Sequence, residues 1–377
     1  MTSDLAMPAV PPTDVRDRFA AAYDVLGAAI AQRAFPGCAF GVSVGGKAVL
    51  QDALGRFTYE PDSPEVTPET KYDVASLTKV VATTAAAMLL YQRGSLDLDM
   101  PVAELLPGFV VGRPAGTRAR HVTIRHLLAH SSGLPGYVEF FRTAHTAAAL
   151  FRACLELPLE ADPGQRAEYS DPGFILLGKA LEVLMQEQLA VWTRREIFHP
   201  LELAATGFTP FRYLAPGIPP TENDTTFRKR VIQGEVQDEN AFVLGGVAGH
   251  AGLFSNVPDL LRFADEILRA MRTKAGSGGT GLFTAATVEC FAERQKPEGS
   301  SRALGWDTPS ENSSSGSHFS SRSIGHLGYS GCSLWIDLVA DIAIVLLTNR
   351  TWPDRTNEAI REVRPAFHDF VREALNC

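Results

Sequence analysis

The feature that most constrains the fold is an apolar run that follows a lysine. Residues 80–90 are mostly apolar and come directly after Lys79, and residues 76–92 are good or tolerable helix formers. Gly94 stands where a helix C-terminal cap is expected. A helix of this composition is largely buried, and a buried lysine must find polar partners or lose its charge. The sequence therefore predicts a core helix with a polar site at its first turn.

Ser76 shares that first turn with Lys79. Residues three apart lie on one face of a helix, so the hydroxyl and the ammonium point the same way. A serine hydroxyl is a weak nucleophile at neutral pH and needs a nearby base or cation. Free N–H groups and the helix dipole at a helix N-terminus also favour a developing oxyanion. Because Ser-x-x-Lys recurs by chance on exposed helices, it is the apolar surroundings of Lys79 that indicate a catalytic site.

The composition limits the classes of partner. The chain of 377 residues has a formal net charge of -8 and a pI near 5.6, which argues against nucleic acid or an anionic membrane as a partner. The five cysteines are scattered without metal-ligand spacing, so we expect neither a disulfide framework nor a zinc site, and no cofactor. No segment has the length and apolarity of a membrane span. Residues 1–12 lack a signal-peptide pattern, so we expect a cytoplasmic protein, or a periplasmic or secreted one if an export signal was removed.

Strand patterns occur near both ends of the chain. Residues 39–44 and 47–52 flank a Gly-Gly pair, a favoured two-residue turn, and are predicted to form a hairpin. Residues 333–337 and 342–348 are rich in branched side chains and are predicted to form a second antiparallel pair. The last of these strands is a nearly continuous apolar run, which indicates burial on both faces.

Helical patterns at residues 14–33 and 357–375 would flank these strands. The middle of the chain shows almost no strand pattern. The sequence therefore predicts an α/β (α+β) fold, in which an antiparallel sheet built from N- and C-terminal segments is flanked by helices and carries an inserted all-α domain. We predict that residues 1–76 and 205–377 form the sheet domain and residues 77–204 the all-α domain, with the active site at their interface.

A loop at residues 163–173, bounded by glycine and proline, holds two further candidates. Tyr169 and Asp171 lie there just before a predicted helix. The alternative role for Asp171 is that of the helix N-cap, which is an ordinary position for aspartate.

A second stretch, residues 325–332, holds His326, Gly328 and Tyr329 where a strand is predicted to open. Its glycines allow the backbone to approach a ligand closely. The alternative is a strand edge or a bulge without a role in binding.

Other ionisable residues are weaker candidates. His126 and His130 have the spacing of metal ligands on one helix face, but no third ligand is obvious, so we prefer a packing role and predict no metal. His250 lies in a Gly-rich loop, where a structural role is preferred. Asp238 and Glu239 could line the rim of the same cleft.

Three of these stretches together resemble a known family. Ser-x-x-Lys, then Tyr-x-Asn, then Lys-Thr-Gly or His-Thr-Gly, in that order, mark the penicillin-recognising serine hydrolases. With tyrosine in the middle element, the sequence resembles the class C β-lactamases and the related D,D-carboxypeptidases, D-aminopeptidases and esterases. Residues 123–134 and 244–255 also resemble this family, and the likeness runs from the first predicted helix to the last.

The resemblance implies a role for each matching residue. Ser76 would be the acylated nucleophile, Lys79 its activating partner, and Tyr169 the general base or the relay to it. The N–H groups of Ser76 and Tyr329 would form the oxyanion hole. A phenol with a pKa near ~10 serves as a base only if a close cation lowers that value, and Lys79 is the candidate cation.

This sequence departs from the family pattern at three places. Asp171 stands where asparagine is usual, and its carboxylate would pair with Lys79 and hold the proton on the amine. His326 replaces the commoner lysine, and Leu327 replaces a threonine hydroxyl. Both changes would weaken recognition of an anionic substrate.

We therefore expect a serine hydrolase that acts through an acyl-enzyme on a small-molecule ester, amide or β-lactam substrate, with esterase or weak β-lactamase or peptidase activity. The main alternative is a penicillin-binding or peptidoglycan-fragment sensor that is acylated but does not hydrolyse the adduct. An inactive scaffold and an acyltransferase are further alternatives.

Overall fold

The structure is a computed structural model that describes residues 13–208, 217–273, 281–297 and 299–376. The strands are β1 Gly37–Val44, β2 Lys47–Gly55, β3 Tyr72–Asp73, β4 Gly207–Phe208, β5 Glu222–Asp224, β6 Arg230–Ile232, β7 Leu253–Ser255, β8 Ser323–Leu327, β9 Ser333–Asp337 and β10 Ile342–Thr348. The α-helices are α1 Thr13–Arg18, α2 Ala20–Ala31, α3 Ala85–Gln92, α4 Val102–Leu105, α5 Ile124–Leu128, α6 Ala147–Glu156, α7 Asp171–Met185, α8 Leu189–Thr193, α9 Glu239–Val243, α10 Val257–Arg272, α11 Ala285–Ala292 and α12 Ile360–Asn376.

The main sheet has five strands in the order β2-β1-β10-β9-β8, and each neighbouring pair is antiparallel. The first and last parts of the chain thus meet where β1 pairs with β10, with Phe40 opposite Leu346. The predicted hairpin is confirmed, and Gly45 and Gly46 both have positive φ at its turn, which the right-handed strand twist favours. Every residue of β10 is buried, as its apolar run indicates.

Alternate side chains of the sheet enter two cores. Phe40 and Leu346 belong to the core under α2 and α12, whereas Ala39 and Leu347 belong to the larger core that includes α10. The alternation follows from the two-residue period of a strand. The predicted antiparallel sheet flanked by helices is therefore confirmed.

The first helical segment differs from its prediction as one helix over residues 14–33. It is divided into α1 and α2 at Phe19, whose backbone leaves the helical region at φ -101 and ψ 19. The Phe19 ring is buried in the core under α2 and α12. Periodicity alone places apolar residues on one face and cannot detect such a break.

Regular elements between residues 79 and 198 are helical throughout, and this block contributes many of the buried side chains of the larger core. The boundaries at residues 76 and 204 stay a prediction. Among the helices of the described ranges, none combines the length and apolarity that crossing a bilayer requires.

Candidate active site

Ser76 lies in a constrained turn between β3 and the helix that carries Lys79. The turn is a 3₁₀ segment, Ala75–Leu77, and Ala75 has a φ of 47, a strained value for a residue with a side chain. The Asp73 carboxylate holds it by accepting from Ala75 N at 2.9 Å and from Gln237 N at 2.7 Å. The carboxylate therefore ties the turn that presents Ser76 to the segment of Gln237.

Three side chains converge on one point in this turn. Tyr169 donates its hydroxyl hydrogen to Ser76 Oγ at 2.7 Å, and Lys79 Nζ donates to the same oxygen at 2.9 Å. Lys79 belongs to a π-helical segment, Lys79–Thr84, a form that often occurs at functional sites. The structure thus brings together the serine, the lysine and the tyrosine that the sequence singled out.

Lys79 is fully buried, and its three N–H groups all have acceptors. Besides Ser76 Oγ, they donate to Asp171 Oδ1 at 2.7 Å and to the His250 carbonyl at 3.0 Å. Burial alone would lower the pKa of Lys79, but the Asp171 carboxylate outweighs it and raises that pKa above its ordinary value. The pair expected between Asp171 and Lys79 is present, and it holds the proton on the amine.

Tyr169 is a buried phenol beside this cation. Its ring centroid is 4.8 Å from Lys79 Nζ and 4.7 Å from the centre of the His130 ring. Burial raises the pKa of Tyr169, and although Lys79 acts in the opposite direction, the balance stays above the ordinary value. From the sequence we expected the Lys79 cation to lower the pKa of Tyr169. The cost of burying a phenolate is larger, so the pKa is raised instead.

Helix α7 begins at Asp171, but its cap is the preceding residue. Ser170 Oγ accepts from Gly173 N at 3.1 Å, which is the N-cap bond, so the alternative of Asp171 as the cap is wrong. The carboxylate of Asp171 is therefore available to Lys79. Sequence reasoning could not separate two adjacent good capping residues.

The end of β8 faces Ser76 across the cleft. Gly328 passes so close to the other wall that a Cβ atom there would fall 2.5 Å from the Val74 carbonyl oxygen, so only glycine fits. Within the described ranges, neither the Ser76 N–H nor the Tyr329 N–H is used in a protein hydrogen bond. Both groups line one cleft, where they are free to donate to a substrate oxygen.

His326 lines the same cleft and is buried. Its Nδ1 lies 2.8 Å from the Leu327 carbonyl oxygen, which makes Nδ1 the protonated nitrogen of the neutral ring. Burial lowers the pKa of His326 well below its ordinary value, and the nearby Lys79 and Arg302 charges act in the same direction. At neutral pH this position therefore adds no positive charge to the cleft.

The two metal-spaced histidines serve the helices around the site. His126 forms a capping box with Thr123 at the start of α5. His130 Nδ1 accepts from Ser170 N at 2.9 Å, which ties the loop of Tyr169 to the end of α5.

The cleft has a volume of about 700 Å³ and includes residues that sequence reasoning missed. Asp238 lines the cleft, as the sequence allowed, and its carboxylate pairs with His250 Nε2 at 2.9 Å. Burial opposes the ionisation of Asp238, but His250 helps to lower its pKa to about 2. Arg302 also lines the cleft, and its guanidinium carbon is 5.4 Å from the centre of the Tyr169 ring. No motif marked Arg302, since it belongs to an irregular segment far along the chain.

Comparison with known proteins identifies the family of the chain. The Beta-lactamase family model matches residues 19–366. An N-acetylmuramyl-L-alanine amidase of Bacillus subtilis (strain 168) is 32% identical over 348 aligned residues, covering 84% of this chain and 77% of the amidase. An Escherichia coli (strain K12) protein, named provisionally as a D-alanyl-D-alanine carboxypeptidase, is 33% identical over 315 aligned residues, covering 76% of this chain and 70% of its own.

A solved structure shows the same fold. EstCE1, described as a hydrolase with promiscuous acyltransferase activity, superposes with a TM-score of 0.74 at 21% identity and covers 95% of this chain and 100% of its own. At that identity the likeness concerns the fold, whereas the family model spans most of the sequence. The chain therefore belongs to the beta-lactamase family of serine hydrolases.

Proposed function

We propose that the protein hydrolyses ester or amide bonds through an acyl-enzyme formed on Ser76. One observation carries this proposal: Ser76 Oγ lies 2.7 Å from the Tyr169 hydroxyl and 2.9 Å from Lys79 Nζ inside an open cleft. A hydroxyl within hydrogen-bond distance of a phenol and a buried amine has the groups that nucleophilic catalysis needs.

The chemistry divides into two steps. Ser76 Oγ attacks the substrate carbonyl carbon while its proton passes to the phenolate oxygen of Tyr169, and the N–H groups of Ser76 and Tyr329 stabilise the oxyanion. The bond to the leaving group then breaks, and the leaving group takes that proton from Tyr169. A water molecule next attacks the acyl carbon, Tyr169 accepts its proton, and Ser76 is released with its own proton restored.

The cleft favours esters and simple amides over β-lactams. The neutral ring of His326 and the apolar side chain of Leu327 provide neither the charge nor the hydroxyl that the family uses for a β-lactam carboxylate. The amidase and carboxypeptidase names of the relatives also support an amide or a peptide-like substrate. We therefore expect weak β-lactamase activity beside ester or amide hydrolysis.

A substrate panel with two variants tests the proposal. We expect Ser76→Ala to lower kcat/KM for p-nitrophenyl esters by about 1000-fold or more, and Tyr169→Phe by about 100-fold or more, because each removes a reacting group. Tyr91→Phe, which changes an exposed ring on α3, is the matched control and should keep the wild-type rate.

Two results would contradict the proposal, and a third would reverse the expected preference for esters and simple amides. Near-normal rates in Tyr169→Phe would exclude it as the base. A stable adduct on Ser76, seen by mass spectrometry without turnover, would indicate the sensor instead. A chromogenic cephalosporin preferred by orders of magnitude would identify a β-lactamase.

A further inference from the structure

Arg364 is a buried cation that no step of the proposed reaction uses. It lies on α12 and is only 6% exposed, and within the described ranges no carboxylate pairs with its guanidinium. Burial lowers the pKa of Arg364 to about 10, so the group keeps its charge at neutral pH. A buried charge without an opposite charge is costly unless hydrogen bonds compensate it. The acceptors of this guanidinium must therefore offset that cost.

The acceptors of Arg364 are carbonyl oxygens of one loop. Its Nη2 donates to the Gly328 carbonyl at 2.6 Å and to the Cys332 carbonyl at 2.9 Å, and its Nε donates to the Gly331 carbonyl at 3.1 Å. These three residues belong to the loop after β8 that also carries Tyr329. Hydrogen bonds from a charged donor are shorter and stronger than those between neutral groups. Arg364 therefore holds the backbone of this loop from α12.

A second arginine holds the remaining carbonyls of the loop. Arg350, which is also buried, donates from Nε to the Tyr329 carbonyl at 2.8 Å, and its backbone N–H donates to the Ser330 carbonyl at 2.9 Å. Each carbonyl from residue 328 to residue 332 thus accepts a hydrogen bond from one of the two arginines. In contrast, the Tyr329 N–H has no acceptor in the described part of the chain. The loop therefore commits its carbonyls to the arginines and leaves this N–H for a ligand.

One of these bonds reaches the expected oxyanion site through a single peptide group. The Gly328 carbonyl and the Tyr329 N–H belong to the same planar amide, in which C=O and N–H point in opposite directions. A cation at the carbonyl oxygen therefore sets the direction of the N–H. It also polarises the amide, since linked hydrogen bonds strengthen one another.

The other expected oxyanion donor has no such support. The Ser76 N–H shares its amide with the Ala75 carbonyl, which accepts from the neutral Thr78 hydroxyl at 2.6 Å. Of the two donors, the Tyr329 N–H is therefore the one that a charge supports.

We propose that Arg364 is a positioning residue of the oxyanion hole, which orients and polarises the Tyr329 N–H through the Gly328 carbonyl. This inference rests on the proposed function. Negative charge develops on the substrate oxygen in the transition states of both acylation and deacylation, so the contribution of Arg364 is made in both steps. Arg364 acts through the amide and does not contact the reacting atoms.

Steady-state rates on p-nitrophenyl acetate test the proposal. Loss of an oxyanion donor lowers kcat by about 100- to 1000-fold, and Arg364 acts one group behind the donor, so we expect Arg364→Gln to lower kcat by about 10- to 100-fold. KM should change less than about threefold, because acylation and deacylation slow together. Arg364→Lys, which keeps the charge, should retain more of the rate. An unchanged kcat in Arg364→Gln, or a loss that appears in KM alone, would overturn the proposal.

Two controls separate this role from folding and from the charge of the cleft. Arg372 is a second buried arginine of α12, and it donates to the His318 carbonyl at 3.2 Å, away from the cleft. Arg372→Gln should lower the melting temperature but change kcat less than about threefold. Arg361 lines the cleft but is exposed and pairs with Glu358, so Arg361→Gln should keep the wild-type kcat. A loss of kcat in either control equal to that in Arg364→Gln would overturn the proposal.

Binding of phenylboronic acid separates this inference from the proposed function. Its boron atom forms a reversible bond to the serine oxygen and becomes a tetrahedral anion, which resembles the charged transition state. We expect its Kd, measured by inhibition of ester hydrolysis, to rise at least about tenfold in Arg364→Gln and less than about threefold in Arg372→Gln. Equal Kd values for wild type and Arg364→Gln would refute the role of Arg364 alone. Ester hydrolysis that persists in Ser76→Ala would instead refute the proposed nucleophile.

Discussion

Lys79 shows how one buried charge sets the protonation of the whole site. Its ammonium is held by the Asp171 carboxylate and the His250 carbonyl, and its pKa is raised by Asp171 against the effect of burial. Tyr169 beside it also has a raised pKa, through burial. At neutral pH the resting site therefore holds both protons, and the phenolate form that the proposed reaction requires is a minority species.

The sign of the pH dependence follows from these two shifts. The reactive form must lack one of these protons, and the fraction of molecules that lack it grows as pH rises. We therefore expect kcat/KM for a neutral ester to rise by about tenfold per pH unit above neutrality. This rising limb of the pH–rate profile reports the loss of a proton from Lys79 and Tyr169 as a coupled pair. Initial rates measured from about pH 6 to about pH 10 test this dependence. A rate that falls over this interval would contradict the assignment.

Asp171→Asn should move that limb to lower pH. Without the carboxylate, burial becomes the main influence on Lys79 and lowers its pKa, so the amine loses its proton more easily. We expect a displacement of at least about one pH unit. Glu358→Gln, which removes another carboxylate of the cleft wall that pairs with exposed Arg361, should leave the limb in place. Identical profiles for Asp171→Asn and wild type would show that Asp171 does not control the proton.

Asp73 should make the stability depend on pH in the opposite sense from a paired carboxylate. Burial raises its pKa from 3.8 to about 6 in the folded protein, although two backbone N–H groups oppose the shift. Between these values the folded state holds a proton that the unfolded state lacks, so the contribution of Asp73 to stability is full below 3.8 and declines as pH rises to about 6. The decline amounts to roughly 3 kcal/mol at most.

Asp73→Asn isolates this contribution. The amide loses one of the two acceptor bonds, which lowers stability at every pH, but it cannot titrate. The difference in free energy of unfolding between wild type and variant, from urea titrations at about pH 4 and about pH 7, should therefore be larger at the lower pH. A difference that is the same at both pH values would mean that Asp73 is not buried as the structure shows.

At the scale of elements, helix α7 connects the core to the polar site. Gly178 packs against the backbone of Gly249, and a Cβ on Gly178 would fall 2.9 Å from Gly249 Cα. Gly249 precedes His250, whose carbonyl accepts from Lys79 at 3.0 Å. The close contact between α7 and this loop therefore sets the distance from the loop carbonyl to the buried ammonium.

Gly178→Ala should disturb both packing and catalysis. The atoms that the added methyl group would clash with belong to the Gly249 backbone and cannot rotate away. We therefore expect a loss of about 1–3 kcal/mol in stability and a lower kcat, as the His250 carbonyl is displaced. Gly27→Ala is the control, because Gly27 is an exposed position of α2 with open space around it and should stabilise by about 0.5–1 kcal/mol. Thermal unfolding and ester hydrolysis measure the two effects. Equal melting temperatures for Gly178→Ala and wild type would contradict the contact.

Local signals predicted most of these elements. The Gly45-Gly46 pair fixed the first hairpin, and the branched runs of β9 and β10 fixed the second, because turn chemistry and strand patterns act over a few residues. The break at Phe19 and the cap at Ser170 were missed, since each depends on where a side chain finds a partner. A sequence pattern indicates the period of a helix or strand, whereas the contacts of individual side chains decide where that element ends.

At the scale of the molecule, the site is assembled from parts that are distant in sequence. Ser76 follows β3, Tyr169 precedes α7, and Tyr329 follows β8. The motifs and their family resemblance predicted this convergence. The helical block between the strands was predicted because the middle of the chain lacks the alternation of apolar and polar residues that marks a strand. Arg302 could not be predicted, because its position beside Tyr169 results from a turn that pairs with the edge of β8. The direction of the pKa shift of Tyr169 could not be predicted from the sequence either, since it depends on the balance between burial and a neighbouring charge.

Because these parts meet only in the folded chain, a ligand that joins them should stabilise the whole molecule. An arylboronic acid forms a reversible bond to a serine oxygen and places a tetrahedral anion near the N–H groups of Ser76 and Tyr329. At about 100 times its Kd, it should raise the free energy of unfolding by about 2.7 kcal/mol, seen as a higher melting temperature. Ser76→Ala should lose this shift, and Tyr91→Phe should keep it, because Tyr91 lies on the surface of α3 away from the cleft. A shift of equal size in Ser76→Ala would mean that the compound binds elsewhere and that the proposed nucleophile does not react with it.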